Sequence, residues 1–158
     1  MRISSGITAF MLTAAVILVQ AQQPSSGAFG PLHKGPSKQV GEIHFATDNF
    51  DYSLYGDHCE IHEDKFLCLF TTAAHRGAAR EWPAEKSWWE NYAVDQFGEK
   101  HARVGSYYLS TRGNQQSAAT VGAGDNAYLV QVFENSDKSA TRLNIVSPHG
   151  EIRDMPVE

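Results

Sequence analysis

The stretch HCEIHEDKFLC, His58–Cys68, holds both cysteines of the chain, two histidines and three acidic residues. It reads either as a metal site or as a hairpin closed by a disulfide. With Glu63-Asp64 as a two-residue turn, His62 pairs with Lys65, Ile61 with Phe66, Glu60 with Leu67 and Cys59 with Cys68. Antiparallel pairs alternate between hydrogen-bonded and non-hydrogen-bonded types. If His62 and Lys65 are the bonded pair at the turn, Cys59 and Cys68 form a non-bonded pair. Such pairs lie about 4.5 Å apart at Cα, within reach of a disulfide. Glu-Asp is not the Asn-Gly that two-residue turns favour, so a four-residue loop is the competing turn. The cysteines pair in both.

Strand alternation sends Cys59, Ile61, Phe66 and Cys68 toward the core. It sends His58, Glu60 and His62 to solvent or a neighbouring strand. These three are the candidate metal ligands, with His44 from another strand as a further donor. Four residues of strand separate His58 from His62 by about 13 Å, too far for one ion unless the strand bulges. The disulfide is the preferred reading and the metal site the alternative. The other histidines, His33, His44, His75, His101 and His149, are scattered and read as surface or packing residues.

The surrounding chain favours an oxidising compartment. Arg2, the apolar run Ile7–Val19 and the small residues of Val19-Gln20-Ala21 have the form of a secretory signal peptide, residues 1–21, cleaved before Gln22. The apolar run is shorter than the roughly 20 residues that span a bilayer, so no membrane span is expected after cleavage. Two cysteines in an exported chain are most simply one disulfide. The expected location is secreted or periplasmic. Formal net charge is −5 over 158 residues. No basic cluster accompanies it, which argues against nucleic acid as a partner.

Residues 22–39, QQPSSGAFGPLHKGPSKQ, are rich in Gln, Pro, Ser and Gly and read as a flexible tether. Residues 40–158 form the domain, one core's worth of chain. Period-two runs follow at 42–47, 50–56, 65–72, 101–110, 116–121, 126–134 and 141–147, separated by Gly, Asn, Asp and Pro. In 65–72, Phe66, Cys68 and Phe70 share one face and Leu67 and Leu69 the other, as in a strand covered on both sides. Short strands at this spacing predict an all-β antiparallel sandwich of seven to eight strands. Pro83–Tyr92 is the one helical turn expected.

That segment also carries the second candidate site. Trp82, Trp88, Trp89 and Tyr92 fall close together. They read as a cap over the core or, exposed, as an aromatic platform for a carbohydrate. GAGD, Gly122–Asp125, lacks the spacing and lysine of a phosphate loop and reads as a turn. Ser147, His149 and Asp154 have no nucleophile elbow around them. No catalytic residue and no cofactor is expected.

FDYSLYGDHCEIHEDKFLCLFTT, YAVDQFGEKHAR and GDNAYLVQVFENSDKSATRLNIV together resemble the telokin-like group of small secreted immunoglobulin-like β-sandwich domains of bacterial envelope proteins. The resemblance covers Val40 to about Val146. It implies a non-catalytic binding or structural role in the bacterial envelope or exterior, with a protein or envelope partner. Exposed sheet edges are the default surface for such a partner. Glu81–Tyr92 and the tail GEIRDMPVE depart from the group's pattern.

Overall fold

The computed structural model describes residues 31–85, 90–136 and 139–158. Residues 1–21, expected from sequence to be a signal peptide, the first part of the expected tether, Trp88 and Trp89 lie outside the described residues.

The described chain is all-β. Its strands are β1 (Glu42–Ala46), β2 (Asp51–His62), β3 (Lys65–Arg76), β4 (Arg80–Pro83), β5 (Tyr92–Asp95), β6 (Lys100–Leu109), β7 (Gln115–Gln116), β8 (Ala118–Val121), β9 (Asn126–Glu134), β10 (Arg142–Ser147) and β11 (Gly150–Pro156). The count exceeds the seven to eight expected because β4, β5 and β7 are short and β11 is charged. None shows the long apolar alternation that marks a strand in sequence. The helical turn expected at Pro83–Tyr92 is replaced at both ends: Pro83 closes β4 and Tyr92 opens β5. Among the described residues no helix is long and apolar enough to cross a membrane.

Nine strands share one antiparallel ribbon, β1-β2-β3-β9-β6-β5-β10-β11, with β7 on β6. The ribbon folds over at β6. Residues from Arg103 onward pair with β9, whereas Lys100, His101 and Ala102 pair with β5, and a register shift lies between Arg103 and Gly105. A bulge there bends the strand and lets it serve two layers. Between the layers lies the main core. Ile43, Leu54, Phe66, Phe70, Leu129 and Phe133 come from one layer, and Ala93, Leu143, Ile145, Ile152 and Met155 from the other. The ribbon also meets itself. Val157 bridges Cys59, and the Glu158 amide donates to the Cys59 carbonyl at 2.9 Å. The small sheet β4-β8 closes one end, with Trp82 packed on Tyr52 and Phe50.

The hairpin β2-β3 follows the expected register, Cys59↔Cys68 through His62↔Lys65. Cys59 and Cys68 form the disulfide, 4.0 Å apart at Cα and fully buried. The turn residue Glu63 has φ +55°, and Asp64 does not share the positive φ. A positive φ at the first turn position alone is the pattern that favours glycine there. Non-glycine residues lose about 1–2 kcal/mol in the left-handed region. Glycine's greater unfolded-state freedom offsets part of that gain. Glu63→Gly is therefore expected to stabilise the fold by about 0.5 kcal/mol. A urea titration with a lower midpoint than wild type would count against this account of the turn.

β3 is covered on both faces, as its two apolar faces require. Leu67 and Leu69 join Tyr107, Val130 and Val132 in a second cluster on the outer face of the sheet, and Leu32 and Leu109 pack on it. Leu32 comes from the segment that composition assigned to the tether. From Pro31 onward that segment runs over the sheet as a strap. Proline and glycine leave its backbone outside any ladder, and the carboxylates beneath it supply the acceptors its amides need.

Candidate functional site

The strap and the outer face of β2 meet at Glu60. β2 shifts register between Gly56 and Cys59, and Asp57, His58 and Glu60 are all buried. The Glu60 side chain is only 5% exposed. Its carboxylate accepts the His33 amide at 2.8 and 2.9 Å and the Lys34 amide at 2.7 Å. His62 Nε2 lies 2.8 Å from Glu60 Oε2. One turn of strap further on, the Ser37 amide donates to Asp57 Oδ2 at 2.8 Å. Two carboxylates of β2 thus tie the strap to the sheet. Burial pushes the Glu60 carboxyl up, but the His33 amide, His62 and the Lys34 amide outweigh it and hold it below the usual range.

Four imidazole and carboxylate groups converge here. The His33 and His62 rings stack with centroids 4.8 Å apart. His33 Nδ1 is 3.4 Å from Glu60 Oε2. His33, Glu60 and His62 each offer a ligand atom within 4.8 Å of the others. His58 approaches the other carboxylate oxygen. Its Nδ1 is 2.6 Å from Asp57 Oδ1, and its Nε2 is 3.5 Å from Glu60 Oε1 with no hydrogen-bond partner. The sequence argument that strand spacing separates His58 from His62 holds for the backbone only. Both side chains lean toward Glu60 between them. His44, the further donor considered from sequence, bonds Asp51 instead and belongs to a different cluster. His33 was missed because it sits 27 residues before Glu60, in a stretch with no periodicity.

Beside this cluster the strap overhangs a small cleft of about 220 Å³, floored by Leu32, Leu109 and Tyr107 and rimmed by Lys34, Asn114 and Gln115. The Tyr107 hydroxyl is buried without a hydrogen-bond partner. Burial, then the Glu60 charge, push it up to about 12.

The tryptophan segment is placed differently. Trp82 is 5% exposed and belongs to the core, so it is no sugar platform. The Arg80 guanidinium lies over the Trp82 and Phe50 rings. Tyr92 is half-buried, and the Lys100 ammonium sits 3.8 Å above its ring. Ser147 is spent in the β10-β11 turn, where its hydroxyl donates to the Gly150 carbonyl and accepts the His149 amide.

Asp95, Glu99 and His101 form another converging group. Here the carboxylate is used by the β5-β6 turn. Asp95 Oδ1 accepts the Phe97 and Glu99 amides at 2.9 and 3.0 Å, and Oδ2 meets His101 Nε2 at 3.0 Å. Burial pushes Asp95 up, but His101 and the two amides prevail and hold it below its ordinary value. A carboxyl depressed in the fold contributes stability that is present above its unfolded pKa and lost as pH falls through the folded value. The melting temperature is therefore expected to fall below about pH 4. Asp95→Asn is expected to be less stable at neutral pH and to show a shallower acid fall. A pH series of melting curves with parallel slopes for the two proteins would remove Asp95 from the explanation.

No protein-family model and no curated protein matches the chain. Among solved structures it is similar to MPT63, a secreted protein from Mycobacterium tuberculosis, at 12% identity and a TM-score of 0.48, over 80% of this chain and 97% of that one.

Proposed function

We propose that this chain is an exported, non-catalytic binding domain of the bacterial cell exterior, and that it binds through the strap face. The observation that carries this reading is the cleft between the strap and the Tyr107–Gln115 hairpin. Its floor is apolar and its rim is polar. Such a combination is the usual make-up of a recognition site. At about 220 Å³ it suits one or two side chains of a protein partner better than a large cofactor. The disulfide and the signal-like residues 1–21 support export.

The end strands of the ribbon favour this face over strand addition. β1 is five residues long, and β11 carries Glu151, Arg153 and Asp154 with a positive φ at Asp154. Short, charged and kinked edges resist pairing with another chain. An immunoglobulin-like assignment, and with it the telokin-like group, belongs to the same proposal and rests on the two-layer antiparallel architecture. The disulfide joins neighbouring strands here, whereas immunoglobulin domains use theirs to join the two sheets.

Two measurements test the proposal. Expressed with residues 1–21 in an exporting bacterium, the protein is expected outside the cytoplasm with its N-terminus at Gln22 and its disulfide formed. A photo-crosslinking residue at Asn114 is then expected to capture a partner from envelope extracts, and one at Glu151 on the opposite layer is not. An uncleaved cytoplasmic product would overturn export. Equal labelling from both positions would overturn the strap face.

A further inference from the structure

We propose that His33, Glu60 and His62 bind a divalent transition-metal ion of the zinc class, and that the ion locks the strap onto the sheet. This inference is independent of the partner reading above.

The donor set is right for zinc, which takes imidazole nitrogen and carboxylate oxygen. So is the spacing. Bonds of about 2.0–2.1 Å in a tetrahedral site place neighbouring ligand atoms about 3.3 Å apart. Around Glu60 Oε2, His33 Nδ1 stands at 3.4 Å and His62 Nε2 at 2.8 Å. The two rings stack face to face, 18° between planes, so taking one ion requires the exposed His33 ring to turn until its in-plane lone pair meets that of His62.

His58 supplies the second, separate observation. Its side chain is 2% exposed and its Nε2 has no hydrogen-bond partner. Nδ1 lies against Asp57, and the buried Nε2 is aimed at the Glu60 carboxylate at 3.5 Å, so a ring nitrogen without a hydrogen-bond partner faces the same group that the ion would take. The Asp57–His58 pair also has the form in which a carboxylate fixes a histidine's tautomer and leaves the other nitrogen available to a metal. His33 makes the site a switch for the strap. Its side chain is 77% exposed and packs into no core, so ordering it is a step that ligand binding can drive.

The test is thermal unfolding of the oxidised protein at neutral pH with and without micromolar zinc chloride. Anything that binds only the native state raises its melting temperature. A rise of about 5 °C is expected at saturating zinc. It should vanish in His33→Ala and His62→Ala and persist in His44→Ala, whose ring lies in another cluster. His33→Ala removes an exposed side chain, so this variant should fold. Cobalt(II) is expected to give the visible bands of a tetrahedral site in wild type and to lose them in His33→Ala. Zinc should also slow amide exchange at His33 and Lys34. No zinc shift in wild type, or an equal shift in His33→Ala, overturns the proposal.

Discussion

Cys59→Ala with Cys68→Ala is expected to destabilise the fold by roughly 2–3 kcal/mol. The bridge spans a sequence separation of nine, so the loop it closes is short. Closing it removes chain freedom chiefly from the unfolded state, and a short loop sets the effect at the lower end of the usual range. At this chain length the melting temperature should fall by about 10 °C. Reducing the wild-type protein should give nearly the same fall, without the space that two alanines leave. The difference between the two experiments measures the packing of sulfur in the core, where both cysteines are fully buried. The loss should also spread. Cys59 bridges Val157, and its carbonyl receives the Glu158 amide. Hydrogen exchange at Glu158 is therefore expected to quicken when the bridge is cut. If reduction leaves the melting temperature unchanged, the hairpin is held by its ladder alone.

That hairpin was the most legible part of the chain. Period-two alternation, two cysteines and a two-residue gap admit one register, and β2 and β3 adopt it. A slip of one residue would set Cys59 opposite Leu67 or Leu69 and part it from Cys68, so the disulfide enforces what the pattern suggests. β9 was legible for the same reason, as a run of β-branched and aromatic residues buried from Leu129 to Phe133. β11 was not. GEIRDMP buries only Ile152 and Met155 fully, and its charges disguise the alternation. Trp82 illustrates a further limit. Neighbouring aromatics raise the thought of an exposed platform, but burial is decided by what packs across from a residue. Here Tyr52 and Phe50 do so from β2 and the loop before it. The candidate site was half legible. His58, Glu60 and His62 share a strand face in any register, so local sequence brings them together. His33 joins them through two backbone amides that satisfy a buried carboxylate. Those contacts depend on the path of an irregular strap and leave no periodic trace.

Gly56→Val is expected to cost about 1–3 kcal/mol, the range for overpacking a filled core. Gly56 lies in the middle of β2, where glycine ordinarily weakens a strand. Its value here is space. A Cβ at Gly56 would stand 2.9 Å from Ile152 Cγ2 and 2.9 Å from Met155 Sδ, both on β11 and both fully buried. The close approach of β11 over β2 lets the second layer reach the first at the edge where Val157 meets Cys59. Gly41→Val meets the same Ile152 methyl at 3.1 Å and also places a side chain on a φ of 146°, so it combines crowding with backbone strain. Gly113→Ala has open space around its Cβ, and its cost should come only from the positive φ of 78°. Gly56→Val and Gly113→Ala separate crowding from backbone strain. Denaturation midpoints should place Gly56→Val below Gly113→Ala. A repacking substitution, Met155→Ala in the Gly56→Val background, should then recover part of the loss, since it vacates the volume the valine needs. If the double variant is as unstable as the sum of the two single changes, the glycine is not there for β11. The strand's register shift at Asp57 and His58 would then be the reason for a glycine beside it.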